Sequence, residues 1–147
     1  MNEGSKLQRA EKARKEYVNT LREKDIILRP TASRVIFETV TGKIVGMPYA
    51  TRRLSNKGWF MGLPNEYFDF IILLCQADAA PLDFVLPRSF FLPIWENDLY
   101  WQYQSSGWQV KFDVKQREDQ YALKLKGRGI FSENLQRFLG QTEALSE

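Results

Sequence analysis

The 147-residue chain contains no histidine and a single cysteine, Cys75. Without histidine there is no Ser-His or Cys-His catalytic pair and no imidazole metal site, and one cysteine cannot form a cysteine-rich zinc site. Any catalysis within this chain must therefore use carboxylates, lysine, tyrosine or a carboxylate-bound metal such as Mg²⁺. A lone cysteine also cannot form an internal disulfide, which is typical of a reducing compartment.

Long apolar segments are missing as well. No run approaches the roughly 18 residues needed to cross a bilayer, and no apolar segment follows the first basic residues. We therefore expect a cytoplasmic protein that does not enter a membrane. The hydrophobic content of 44% and the aromatic content of 14% exclude a disordered chain. The length suits one domain, residues 1–147, with frayed tails at 1–4 and 141–147.

Two apolar runs predict the centre of the fold. Residues 67–75 form a continuous run of strand length that is rich in Ile and Phe, and residues 82–87 form a second one. Such runs predict strands that are buried on both faces. Cys75 lies inside the first run, where a small buried core residue is its more ordinary role.

The first 24 residues predict a basic helix. Ser5 and Gln8 have the spacing of a capping box, so the helix should begin near Lys6. Four apolar residues follow at helical spacing and are expected to face the core: Leu7, Ala10, Tyr17 and Leu21. This segment carries seven Lys or Arg against four Glu, whereas the rest of the chain carries fourteen of each sign. Its basic face, which includes Arg9 and Lys12, can bind nucleic-acid phosphates or an acidic partner, or it can simply be solvated.

A second basic feature follows a predicted hairpin. Residues 35–47 alternate between apolar and polar around a turn, which is typical of two paired strands. The loop after them contains Arg52, Arg53 and Lys57 and leads into Trp59. Cations beside an aromatic ring suit contact with phosphates and stacking with bases. A loop that borders a core tryptophan is the alternative interpretation.

The clearest alternation lies in residues 110–126. Apolar residues alternate with polar ones on both sides of the turn at 116–120, which predicts a hairpin with one polar face. That face carries Asp113 and four lysines: Lys111, Lys115, Lys124 and Lys126. Like charges on neighbouring strands repel one another unless an anion covers them, and a nucleic-acid backbone would do so. Exposed lysines also discourage edge pairing, so both interpretations stay open.

These elements predict the fold class. A basic helix, a hairpin, buried central strands, a second hairpin and a short final helix capped by Ser132 describe a mixed α+β domain. Residues 90–108 are unusually aromatic, which is typical of a core or of a surface that binds a partner. The second function hypothesis is therefore a protein–protein interaction module, or a homo-oligomer, that uses this segment and has no enzymatic activity.

Residues 59–87 also resemble a known family. The segments W-F-M-G-L at 59–63, E-Y-F-D-F-I-I-L-L-C at 66–75 and L-D-F-V-L-P at 82–87 are similar to the later core strands of small PD-(D/E)XK, restriction-endonuclease-like proteins. In that family an aromatic-Asp-aromatic strand precedes a strand that ends in proline, here Pro87. The resemblance covers residues 34–93. It implies a nuclease core in which an acidic residue and an acid-x-Lys pair hold Mg²⁺ and position a water.

The acid-x-Lys pair has two candidate positions. In the register set by Asp69 and Asp83, the pair would fall in residues 43–51, which contain none. The one acid-x-Lys triplet in the chain is Asp113-Val114-Lys115. Together with Asp83 it completes the motif, so the candidate catalytic residues are Asp83, Asp113 and Lys115, with Mg²⁺ on the two aspartates. A catalytically inactive fold retained for binding is the other interpretation, and either one predicts association with nucleic acid, with DNA preferred over RNA.

Overall fold

The computed structural model describes residues 3–52, 58–104, 107–126, 129–132 and 134–146. The α-helices are α1 (Glu3–Glu23) and α2 (Arg88–Trp95). Short 3-10 helices lie at Asp98–Tyr100, Leu135–Phe138 and Thr142–Ser146. The strands are β1 (Leu28–Pro30), β2 (Ile36–Thr39), β3 (Ile44–Gly46), β4 (Tyr49–Ala50), β5 (Gly58–Pro64), β6 (Phe70–Cys75), β7 (Leu82–Pro87), β8 (Trp101–Gln104), β9 (Gly107–Arg117), β10 (Gln120–Leu125) and β11 (Gly129–Ser132). The fold is α+β, as predicted, and both predicted hairpins are present as β2–β3 and β9–β10.

The strands form two sheets. The first sheet has the order β1-β2-β3-β6-β4, with β7 also paired to β6. It is mixed, because β3 and β4 run parallel to β6 while β7 runs antiparallel to it. The second sheet is antiparallel and has the order β11-β10-β9-β5, with β8 also paired to β9. The inner faces of the two sheets share one apolar cluster.

Strand β6 is buried along its whole length. Ile71, Leu73 and Cys75 lie in the cluster between the sheets, whereas Phe70, Ile72 and Leu74 lie in a second cluster that contains the buried residues of α1. The helix therefore covers one face of the first sheet and the second sheet covers the other. This confirms the prediction of a strand buried on both faces, with Cys75 as a core residue.

Helix α1 begins ahead of the predicted start near Lys6, and its apolar stripe differs from the prediction. Leu7 is 48% exposed, while Tyr17 and Leu21 are buried as expected. Arg14, which interrupts the apolar stripe in the sequence, is itself buried, and its Nε donates a hydrogen bond to the carbonyl oxygen of Met47 at 2.8 Å. Burial lowers the pKa of this guanidinium.

The end of the chain departs from the expectation. Residues 141–147 were expected to fray, but Thr142–Ser146 forms a 3-10 helix in which Leu145 is buried in the same cluster as α1. The gain from burying Leu145 outweighs the freedom of the tail. Residues 88–95 form α2 although Pro93 lies inside it. A short helix at Leu135–Phe138 is present in 3-10 form, but its N-cap is Asn134, and Ser132, the predicted cap, is the last residue of β11. Within the described ranges, no helix is both long and apolar enough to span a bilayer.

Candidate nucleic-acid interface

The two aspartates proposed to bind Mg²⁺ lie on opposite sides of the molecule. Asp83 is on β7, and its Oδ2 accepts a hydrogen bond from the Tyr17 hydroxyl of α1 at 2.7 Å. Asp113 alternates along β9 with Phe112 and Val114, which lie in the cluster between the sheets. Since alternate strand residues point to opposite faces, Asp113 lies on the outer face of the second sheet. The first sheet and the inter-sheet core therefore separate the two carboxylates.

The structure thus does not assemble the predicted Mg²⁺ site. Asp113 and Lys115 share one face of β9, as their spacing requires, but Asp83 does not join them. No group of three or more Cys, Asp or Glu side chains that could hold a metal ion occurs within residues 3–52, 58–104, 107–126, 129–132 and 134–146. The Asp113-x-Lys115 spacing also matches the polar–apolar alternation of the strand.

Asp83 instead joins α1 to the first sheet. The Tyr17 side chain is buried, and burial together with the neighbouring Asp83 carboxylate raises the pKa of Tyr17 far above its ordinary value. The phenol therefore stays protonated and remains a hydrogen-bond donor to the carboxylate. This contact ties the middle of the helix to the start of β7.

The N-terminal half of α1 borders an open groove beside β4 and β5. Two adjoining cavities of about 270 and 290 Å³ form this groove, and both are lined by Arg9, Tyr49 and Thr51. The first cavity is completed by Lys6, Ala10, Ala50 and Phe60. The second cavity is completed by Lys12, Ala13, Glu16 and Gln76. We call this feature the basic groove, because three cations and one carboxylate line it.

A hydrogen bond joins two of the side chains that line the basic groove. The Tyr49 hydroxyl donates to Oε1 of Gln76 at 3.1 Å. Burial raises the pKa of Tyr49, and the positive charges of Arg9 and Arg14 oppose that rise. Tyr49 is therefore a neutral side chain at neutral pH, with its ring beside the basic face of α1.

Acidic residues of α1 only partly offset the positive charge of this face. Glu11 forms an ion pair with Arg34 at 3.0 Å, away from the residues that line the groove. Glu16 lies 3.9 Å from Lys12, and both side chains are largely exposed to solvent. Such an exposed pair contributes little and is readily exchanged for another anion. The groove therefore keeps a net positive charge of the kind that phosphates bind.

The outer face of the second sheet carries the predicted lysine ribbon, which comprises Lys111, Lys115, Lys124 and Lys126 with Asp113. Asp113 is flanked by Lys124 of β10 and Phe60 of β5. Gly62 pairs with Lys111, and a Cβ atom on this glycine would lie 2.8 Å from Cδ of the lysine. The absence of a side chain at Gly62 thus leaves room for Lys111 to lie across β5.

Phe60 connects the lysine ribbon to the basic groove. Its ring lines the groove beside Lys6 and Arg9. Nζ of Lys126 lies 5.9 Å from the centre of the same ring. The helix and the ribbon were predicted as separate basic features, and the structure brings them together at this one aromatic ring. Sequence reasoning missed Tyr49 and Phe60, although the alternation of Phe60 with Trp59 and Met61 was a signal that it faces outward.

The basic loop is described only at its start. The guanidinium of Arg52 lies 5.5 Å from the centre of the Trp59 ring, which agrees with the predicted pairing of a cation with that aromatic. Both residues line a further cavity of about 300 Å³ with Gln116 and Tyr121 of the second sheet. Arg53 and Lys57 lie outside the described residues.

Comparison of the chain with protein-family models, with curated proteins and with solved structures gave no match. The resemblance to PD-(D/E)XK proteins therefore stays a prediction, and the interface is interpreted from its own residues.

Proposed function

We propose that this protein binds nucleic acid through the phosphate backbone and does not cleave it. The observation that carries the proposal is the meeting of the basic groove and the lysine ribbon at Phe60. Lys6 and Arg9 line the same cavity as this ring, Lys12 lines the adjoining cavity, and Nζ of Lys126 in the ribbon lies 5.9 Å from the ring centre. A surface of this kind can follow several phosphates in succession, whereas an isolated patch meets only one or two.

The chemistry of the groove supports a strand rather than a single anion. Binding of each phosphate by Lys or Arg releases condensed counterions, so affinity accumulates along the backbone. Tyr49 and Phe60 add aromatic rings between the cations, and rings in such positions stack with exposed bases. Single-stranded nucleic acid is therefore expected to bind at least as well as a duplex.

The placement of the carboxylates supports binding without cleavage. Hydrolysis by the nuclease mechanism needs carboxylates that converge on the same metal ion. Asp83 is engaged with Tyr17 beneath α1, while Asp113 lies on the outer face of the second sheet. We therefore expect oligonucleotides to stay intact in Mg²⁺, and Asp113→Ala to leave that result unchanged.

Binding is tested by fluorescence anisotropy of labelled DNA and RNA strands and duplexes over a salt series. The variant Arg9→Ala with Lys12→Ala should lower the slope of log affinity against log salt by about 2, because each lost phosphate contact lowers it by about 1. The matched control is Arg22→Ala with Lys24→Ala, which removes the same charge from exposed positions at the far end of α1. An equal loss in both variants, or binding that does not respond to salt, would contradict the proposal.

A second candidate function is a protein–protein interaction module based on residues 90–108. Leu99, Tyr103 and Trp108 are 65%, 70% and 52% exposed, which is unusual for large apolar side chains grouped in one segment. Light scattering after size-exclusion chromatography tests this candidate. A stable oligomer that Tyr103→Ala dissociates, together with no binding to nucleic acid, would favour it over the first.

A further inference from the structure

Another cavity, lined by different types of residue from the basic groove, lies between α2 and β8. It has a volume of about 370 Å³ and is lined by Asn65, Trp95, Asp98, Trp101 and Trp108. We call it the tryptophan cleft. Three of the four tryptophans of the chain line this cavity. Trp101 is buried, Trp95 is half-buried and Trp108 is 52% exposed, so the cavity opens onto indole rings that are only partly covered by the protein. An open cavity lined mainly by aromatic rings is a candidate ligand site.

The walls of the tryptophan cleft are held rigidly. Trp95 and Trp101 meet edge to face, with ring centres 5.1 Å apart and planes at 85°. Phe68 and Phe91 also pack edge-on against Trp95. Two perpendicular indoles form adjoining walls, and Trp108 adds a third that is half exposed. A ligand would therefore meet preformed rings and would not have to order them.

The polar groups of the cleft favour a cation over an anion. The indole N–H of Trp95 donates to the carbonyl of Glu66, and that of Trp101 donates to the carbonyl of Trp95. These donors are thus already engaged. The carboxylate of Asp98 also lines the cavity, and among the described lining residues none is Lys or Arg.

The segment of the sequence that contains the cleft is negatively charged, as Asp98 is. Residues 58–110 contain one basic residue, Arg88, and six acidic ones, a net charge of −5. The remainder of the chain contains 20 basic and 12 acidic residues, a net charge of +8. All five described residues that line the tryptophan cleft therefore come from the acidic segment of a basic chain, and Asp98 is the carboxylate among them.

We infer that the tryptophan cleft binds a methylated ammonium group. The face of an indole is the best aromatic site for an organic cation, and several rings around one such cation form the aromatic cage used for choline and methylated lysine. Methylation matters because it removes the N–H groups that an ordinary ammonium would leave without acceptors against the rings. Asp98 supplies the one carboxylate to balance the charge. This site is independent of the nucleic-acid interface.

Isothermal titration and tryptophan fluorescence of the full chain test the inference. The probes are choline, tetramethylammonium and 3,3-dimethylbutan-1-ol, which has the shape of choline without its charge. We expect the two cations to bind and quench fluorescence, and the neutral alcohol to bind about tenfold or more weakly. Equal binding of the alcohol, or no binding of either cation, would overturn the inference.

Variants localise the binding. Trp108→Ala and Asp98→Asn change exposed side chains, so both proteins should fold, and each should weaken choline binding by about three- to tenfold. Leu99→Ala is the matched control, because this exposed neighbour does not line the cavity. Loss in the control equal to that in Trp108→Ala would also overturn the inference.

A further arm distinguishes the source of the ligand. Short peptides with trimethylated or unmodified lysine are titrated beside choline. Tighter binding of the trimethylated peptide than of choline identifies a methylated protein, and the reverse order identifies a small quaternary ammonium compound. Equal binding of the modified and unmodified peptides would contradict recognition of the methyl groups.

Discussion

The two sheets of this protein differ in what covers their outer faces. The first sheet lies between α1 and the second sheet, and its central strand β6 is buried throughout. The second sheet packs against the first on its inner face only, and its outer face carries the lysine ribbon. The difference is written in the sequence as a continuous apolar run in one case and strict alternation in the other. The first sheet thus has buried residues on both faces, whereas the second sheet has buried residues on one face and charged residues on the other.

The largest expected effect is loss of the contact between the sheets. Phe84 is fully buried there, and its ring packs against that of Tyr121 at 5.1 Å. Phe84→Ala leaves a cavity and should lower the free energy of unfolding by about 3–5 kcal/mol, measured by urea titration. Lys124→Ala, on the outer face of the second sheet, should change it by less than about 0.5 kcal/mol. Similar losses for the two variants would mean that the faces do not differ as described.

A smaller effect is expected where α1 meets the first sheet. Tyr17→Phe removes the hydrogen bond to Asp83 and should lower the free energy of unfolding by about 1–3 kcal/mol. Phe keeps the ring, so the apolar contacts of Tyr17 are retained. Unfolding in urea at neutral pH measures the loss. A variant as stable as the wild type would show that this hydrogen bond does not help to hold the helix on the sheet.

The same tyrosine predicts an alkaline pH dependence. The pKa of Tyr17 is raised in the folded state, whereas in the unfolded chain it returns to the ordinary value of about 10. The unfolded chain therefore loses this proton above about pH 10 while the native state keeps it, so the stabilisation is complete below pH 10 and declines above it. The free energy of unfolding of Tyr17→Phe should fall less steeply with pH in this window than that of the wild type. Parallel curves would contradict the assignment, and Tyr49→Phe serves as the comparison variant.

The smallest effect on stability is expected for the lysine ribbon. The double variant Lys111→Ala with Lys126→Ala should have a free energy of unfolding within about 0.5 kcal/mol of that of the wild type. The same variant should lower the salt slope of nucleic-acid binding by about 2. Choline binding at the tryptophan cleft should not change. A variant that loses stability but keeps its salt slope would show that these lysines stabilise the fold and do not contact nucleic acid.

Much of the fold could be predicted from local pattern. The run at 67–75, the hairpins at 35–47 and 110–126 and the basic first helix are all present, because each depends on the period of neighbouring residues. The candidate site was predicted less well. Arg9, Lys12 and the ribbon lysines were named as separate features, but the link through Phe60 and Tyr49 was not seen. Asp83 and Asp113 match a motif in sequence, but the structure places Asp83 beside Tyr17 of α1 and Asp113 on the outer face of the second sheet.

The sequence by itself determined the strands, the basic helix and the sign of the charge along the chain, since these follow from side chains a few positions apart. Only the tertiary structure decided which faces meet. It buried Arg14 against the carbonyl of Met47, joined Tyr17 to Asp83, and placed Asp113 on the opposite side of the molecule. These outcomes depend on contacts between residues 33 to 66 positions apart. Such contacts form because α1 must cover the apolar face of the first sheet. The spacing of apolar residues along the chain does not show which face each element will meet.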